Sequence, residues 1–141
     1  MREYSLEVGL QEDIEYVDEQ LSNYNESIKP YEQDEEFHPF QYVMKNESGE
    51  IIAGISAYAV MWKILYVDVL WVHESYRNQG IGSSLLAQVE KDAKDFGCKV
   101  GHLDSFDFQG KGFYEKQGYQ IFGTLEDAPE GHKEYFFSKK L

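Results

Sequence analysis

The 141-residue sequence predicts an α/β (α+β) fold, a single domain over residues 1–141 built on a mixed, mostly antiparallel sheet. Three observations carry that reading. Short apolar runs rich in β-branched and aromatic residues recur seven times, bounded by turn residues, and read as strands. Two longer segments repeat apolar residues every three or four positions, the spacing of amphipathic helices. One of those helices joins two strand-like runs, and such a crossover makes its flanking strands parallel in an otherwise antiparallel series.

Residues 3 to 8 alternate, with Tyr4, Leu6 and Val8 on one side, and are expected to form a first strand. Ile14, Val17, Leu21, Tyr24 and Ile28 mark a helix that Pro30 stops. The acidic loop YEQDEEFHP follows. FQYVMK, the turn NESGE and IIAGISAYAV read as a hairpin, and ILYVDVLWV as the next strand. Leu85, Leu86, Val89, Ala93 and Phe96 define a second helix closed by Gly97. KVGHLDS is a short strand and GKGFYEKQ a short helix ended by Gly118. YQIFGTL and HKEYFFS complete the sheet around the loop EDAPEG.

Charge and composition narrow the function. The net charge of −13 disfavours nucleic acid and anionic membrane as partners. Up to Glu36 there are 12 acidic residues against only Arg2 and Lys29. An acidic first quarter suits a cationic substrate and equally suits a merely solvated surface. One cysteine, Cys98, excludes an intrachain disulfide, and His38, His73, His102 and His132 lack metal-ligand spacing, so no metal is expected. Gly54, Ser56, Lys63 and Asp68 interrupt residues 51 to 72, which therefore read as buried strands rather than a membrane span. The first residues lack the apolar core of a signal peptide, and the expected location is cytoplasmic.

The stretch with most chemical content is RNQGIGS, residues 77 to 83, between a strand and a helix. Gly80 and Gly82 by themselves mean only a tight turn. At a helix start, however, unpaired N–H groups and the macrodipole favour an anion, and glycine admits a phosphate to the backbone. Arg77 is one of two arginines in the chain and stands at the head of this loop. No GK[ST] follows, so it is not a nucleotide-hydrolase phosphate loop, and a Rossmann fingerprint needs a third glycine.

RNQGIG resembles the R/Q-x-x-G-x-G/A loop of the GCN5-related N-acetyltransferases, and GFYEKQGY (Gly112 to Tyr119) is similar to that family's Y-E-x-x-G-F/Y segment. The element order is also that fold's order. The resemblance implies a six- to seven-stranded sheet with helices on both faces and a central parallel pair that splays apart. Acetyl-CoA is then the acetyl donor. Its arm would bond the backbone at Leu70, Trp71 and Val72, with the backbone N–H near Leu70 facing the thioester oxygen. Its diphosphate would lie on Asn78, Gln79, Gly80, Ile81, Gly82 and Ser83 beside Arg77.

The implied reaction is direct attack by an amine on the thioester, with a small molecule or a peptide as acceptor. Tyr114 matches the tyrosine that protonates the departing thiolate; otherwise it is a core aromatic. The usual asparagine is Asp107 here, and Gln109 is the nearby residue that takes over its contact to the arm. Asp68, a charge in mid-strand, is a candidate base or the partner of Lys63 or a histidine. The family's base on this strand aligns closer to Tyr66. By strict alternation, Tyr66, Asp68, Leu70 and Val72 would share one face. Glu32, Asp34, Glu35, Glu36, Glu126 and Asp127 would form an acidic rim. A non-catalytic acyl-CoA-binding module is the alternative reading, and the run Tyr135, Phe136, Phe137 suggests a homodimer.

Overall fold

The computed structural model describes residues 3–141, which divide into two compact units, Met1–Glu32 and Gln33–Leu141. In the first, α1 spans Gln11–Ile28, none of its residues buried. Asp13 accepts a hydrogen bond from the Leu10 N–H at 2.8 Å, satisfying one of the donors that a helix start leaves unpaired. Lys29 is extended, as the residue before a proline prefers, and the helix stops there. The strand expected at residues 3 to 8 does not form; this segment has no regular structure. Its alternation is genuine, but a strand exists only through a neighbouring strand's hydrogen bonds, and this unit supplies none.

The second unit contains β1 (Phe37–Lys45), β2 (Ile51–Val60), β3 (Ile64–Val72), a 3₁₀ turn (Glu74–Tyr76), α2 (Ile81–Phe96), β4 (Val100–Phe106), α3 (Lys111–Lys116), β5 (Gln120–Glu126) and β6 (Lys133–Lys140). They form one six-stranded sheet in the order β1-β2-β3-β4-β6-β5, antiparallel except for the parallel pair β3–β4. The crossover through α2 therefore does what the sequence order predicts.

Leu85, Leu86, Val89 and Ala93 on α2 bury against a row of small residues on β2, Ala53, Ala57 and Ala59, with Ile55 among them. Alanines there let the helix axis approach the sheet. Leu65 and Val67 of β3 and Phe137 of β6 extend the same core. The short helix α3 joins this layer: Phe113 and Tyr114 pack on the core, and a Cβ on Gly82 would stand 3.4 Å from the Phe113 ring. Both helices of this unit thus lie on one face of the sheet.

Two irregularities in β3 shape everything near the site. Ser56 pairs with Val69 and Ala57 with Val67, so Asp68 is an extra residue with no partner on β2. This bulge reverses the alternation beyond it. Leu65, Val67, Leu70 and Val72 stand opposite Ala59, Ala57, Ile55 and Ala53 and face the helices; Tyr66, Val69 and Trp71 face away. The expectation that Tyr66 shares a face with Leu70 and Val72 is corrected accordingly. The second irregularity is that β3 and β4 pair only at Leu65–Gly101 and Tyr66–His102. Past those residues the two strands part.

Behind the split, three polar groups tie α2 to the far strands. The buried Tyr119 donates to Glu90 at 2.8 Å, and Lys139 donates to the other Glu90 oxygen at 2.9 Å. Burial first, and then the Glu90 charge, push the Tyr119 phenol far above its ordinary value, so it stays a donor. Tyr119→Phe keeps the ring packing and removes the bond to a charged acceptor. Urea unfolding is expected to show a loss of about 1.5 to 3 kcal/mol with an unchanged m-value. An unchanged midpoint would contradict the structural role.

Candidate active site

Where β3 and β4 part, a cleft of about 930 Å³ opens, and the start of α2 stands at its mouth. The chain enters α2 through two left-handed residues, Asn78 at φ 62° and Gly80 at φ 79°. Asparagine tolerates that conformation and glycine adopts it without strain. No atom lies within 4 Å of where a Gly80 Cβ would project, so the demand on Gly80 is conformational and the space beside it is open. The first turn of α2 carries no acidic residue, and no side chain caps it. Its N–H groups are left for an external anion.

Arg77 leads into this turn. Its Nε donates to the Val72 carbonyl at 3.0 Å, which pins the guanidinium at the end of β3 beside the loop. His73 is engaged locally, where its Nδ1 accepts from the Ser75 N–H at 3.0 Å and caps the 3₁₀ turn. Ser83 accepts from Gln117 at 3.0 Å, fastening the first turn of α2 to the end of α3.

Of the residues expected to hold the coenzyme or to react, all but Gln79 line the cleft: Leu70, Trp71 and Val72 on one wall, Arg77, Asn78 and the residues from Gly80 to Ser83 at the mouth, and Gln109 and Tyr114 opposite, with Asp68 on the β3 side. Beyond Tyr66, β3 has no partner on its β4 side, so the edge of its backbone faces the opening. An unpaired strand edge, an uncapped helix start and an arginine together fit a diphosphate followed by a slender amide-containing arm.

Tyr114 is held on α3 by aromatic neighbours, with the Phe137 ring centroid at 5.7 Å and that of Tyr119 at 6.1 Å. Its hydroxyl has no hydrogen-bond partner among the described residues, and it lines the cleft. Burial chiefly, with the Asp104 charge second, pushes this phenol up. Gly110 is required here for space: a Cβ would sit 2.9 Å from Tyr114 Cε2. Asp68 has no ion-pair partner among the described residues. Lys63, its possible partner, instead lies over the Phe96 ring at 5.6 Å.

Two expected residues prove to have structural engagements. Asp107 turns outward to His132 at 2.9 Å and to the Lys133 N–H at 3.0 Å, clasping the start of β6. That clasp keeps its carboxylate off the cleft wall. The Gln109 carbonyl accepts from the Phe106 N–H at 2.9 Å and from Ser105 Oγ at 3.4 Å, closing the turn after β4.

Sequence reasoning missed a pair. Tyr66 donates to Asp104 Oδ1 at 3.0 Å across the foot of the split, and the neighbouring Asp104 carboxyl pushes Glu134 of β6 up. The signal was available, since Asp104 interrupts the strand-like KVGHLDS just as Asp68 interrupts ILYVDVLWV.

The acetyltransferase (GNAT) family description matches residues 10–119 of this chain. The chain belongs to the GNAT acetyltransferase family. It is 38% identical over 96 residues, 67% of its length and 70% of the relative's, to a blasticidin-S acetyltransferase of Streptomyces morookaense. An acetyltransferase structure from Bacillus cereus superposes with a TM-score of 0.91 at 40% identity, covering 98% of each chain. A putative streptothricin acetyltransferase of Bacillus anthracis, solved with acetyl coenzyme A, shares the fold at a TM-score of 0.66 and 21% identity, covering 74% of this chain and 63% of that one. GNAT membership brings the activity with it: the chain is an acetyl-CoA-dependent N-acetyltransferase. Among the described residues, no group of three or more His, Cys, Asp or Glu is placed to hold a metal, and no helix is long and apolar enough to cross a membrane.

Arg77→Glu replaces the cation at the mouth of the GNAT cleft by an anion. Calorimetry should show acetyl-CoA affinity falling by about 10- to 100-fold, the worth of a charged hydrogen bond. Gly80→Val forces a β-branched residue into φ 79° and should weaken binding comparably. Wild-type affinity in both variants would remove the mouth from the binding site. Tyr66 gives a pH test. Burial, then the bond to Asp104, push its phenol up to about 12 from 10.0. The neutral phenol therefore favours the folded state, an effect complete below pH 10 and lost as pH rises through about 12. The wild-type minus Tyr66→Phe ultraviolet titration should show this step near 12; a step at 10 would contradict it.

Proposed function

We propose that this protein transfers the acetyl group of acetyl-CoA directly to a basic nitrogen of a small cationic molecule, both substrates being bound together. The observation that carries the reading is the parting of β3 and β4 beside the uncapped start of α2, one continuous cleft with an anion-binding mouth and an acidic foot. The mouth takes the diphosphate on the backbone from Asn78 to Ser83 with Arg77. The arm lies along the open edge of β3 at Leu70, Trp71 and Val72, and Gln109 offers its amide group from the opposite wall.

A covalent acyl-enzyme has no support. The sole thiol, Cys98, is 2% exposed just past the C-terminal end of α2, and burial pushes its pKa up, away from the reactive thiolate. Tyr114 supplies the proton that the departing thiolate needs. Its raised pKa keeps the proton on oxygen until a strong base forms beside it. Asp68, exposed and unpaired on the wall, attracts the incoming ammonium group.

The relative of Streptomyces morookaense is named for blasticidin S, so a small basic antibiotic of that kind is the proposed acceptor class. Incubation with acetyl-CoA and blasticidin S, alongside a panel of primary amines, should release free thiol. Tight acetyl-CoA binding without thiol release to any amine would instead mark a non-catalytic acyl-CoA-binding module. With an active acceptor, Tyr114→Phe is expected to keep the acetyl-CoA affinity and lower kcat by about 100-fold. An undiminished kcat would remove the proton-donor role.

A further inference from the structure

At the closed end of the cleft, Asp68 and Asp104 stand on opposite lips of the split, each two residues past the last paired positions, Tyr66 and His102. Both line the cleft, and they are held differently. Asp68 sits in the bulge with no partner among the described residues. Asp104 is fixed from across the split: the Tyr66 hydroxyl donates to its Oδ1 at 3.0 Å. We infer that Asp104 takes the proton from the acceptor's ammonium group before the nitrogen attacks the thioester, with Tyr66 positioning it. This inference rests on the acetyl-transfer reading above.

Two features of the surroundings select Asp104. Tyr66 cannot serve as the base, because its own proton is committed to Asp104. The groups facing Asp104 also lack a neutralising cation. They are Tyr66 and Asp68 from β3, His102 from its own strand, Glu134 from β6 and Tyr114 from α3. Burial pushes His102 down, which leaves it neutral at physiological pH. A carboxylate at the end of a cleft, held by the Tyr66 hydroxyl and without a counter-ion, is complemented by an incoming ammonium.

The step balances. One ammonium proton passes to the Asp104 carboxylate, and the freed lone pair attacks the thioester carbonyl. The C–S bond breaks with its electron pair on sulfur, which takes the Tyr114 proton. The surplus proton still on nitrogen restores Tyr114, and Asp104 releases its proton to solvent. The net products are the amide, the free thiol and one proton.

The test compares wild type, Asp104→Asn, Asp68→Asn and Tyr66→Phe by thiol release, with kcat/KM followed across pH. Two acceptors are used: blasticidin S, and O-methylhydroxylamine, which is uncharged at neutral pH and needs no proton removed before it attacks. Asp104→Asn is expected to bind acetyl-CoA normally and to lose about 100-fold with blasticidin S at neutral pH. The loss should shrink as pH rises and be small with O-methylhydroxylamine throughout. Tyr66→Phe should move the acid limb of the pH profile without abolishing turnover, a shift that mere structural support would not produce. A wild-type pH profile in Asp104→Asn, an equal loss with both acceptors, or the larger loss in Asp68→Asn would each overturn the inference alone. Wild type that acetylates neither acceptor would overturn both the inference and the transfer reading beneath it.

Discussion

The early end of pairing between β3 and β4 is the constraint on which the rest depends. Two strands in the middle of a sheet normally satisfy each other's N–H and C=O groups, and leaving such groups buried and unpaired costs about 1 to 3 kcal/mol each. Here the pairing stops after Tyr66 and His102, and the freed edges open onto a solvent-filled cleft instead of a dry core. Water or a ligand with its own amides can satisfy them there. The bulge at Asp68 contributes, because an added residue bends and twists β3 just where it must leave its neighbour.

An opening in the middle of a sheet needs firm support behind it. Leu85, Leu86, Val89 and Ala93 of α2 sit on the alanine row of β2 and hold the near half. Tyr114 and Phe113 of α3 hold the far half through Phe137, and the Glu90, Tyr119 and Lys139 contacts join the two. The same packing positions Tyr114, which rests on the core and also lines the cleft, so one geometry accommodates both the aromatic reading and the proposed proton donor.

Much of this was legible in the sequence, for physical reasons. Elements with strong periodicity, such as the α2 stripe and the β1–β2 hairpin, appear where the pattern placed them. The RNQGIGS loop was readable because glycine, arginine and a helix start each restrict the backbone or the charge in a way that few other roles demand. The segment at Tyr4, Leu6 and Val8 misled because alternation describes a strand's faces and says nothing of whether a neighbour exists to pair with it. Leu70 and Val72 were grouped on one face with Tyr66 because a bulge is one residue of register, invisible to a count by twos. Asp107 and Gln109 have engagements with His132, Lys133 and Phe106 that depend on the three-dimensional meeting of two loops. The Tyr66–Asp104 bond spans strands 38 residues apart and could emerge only once β3 and β4 were known to lie side by side.

Electrostatically, the cleft runs from an arginine and uncapped amides at one end to the carboxyls of Asp68 and Asp104 at the other. Such a gradient suits the proposed arrangement of a polyanionic donor and a cationic acceptor head to head. A crystal structure of the protein with coenzyme A tests this most directly. The account predicts the diphosphate on the amides from Asn78 to Ser83 and the arm between β3 and β4, its sulfur at the end nearest Tyr114. Coenzyme bound elsewhere, or β3 and β4 found zipped together past Tyr66 and His102 with the mouth of α2 empty, would contradict it.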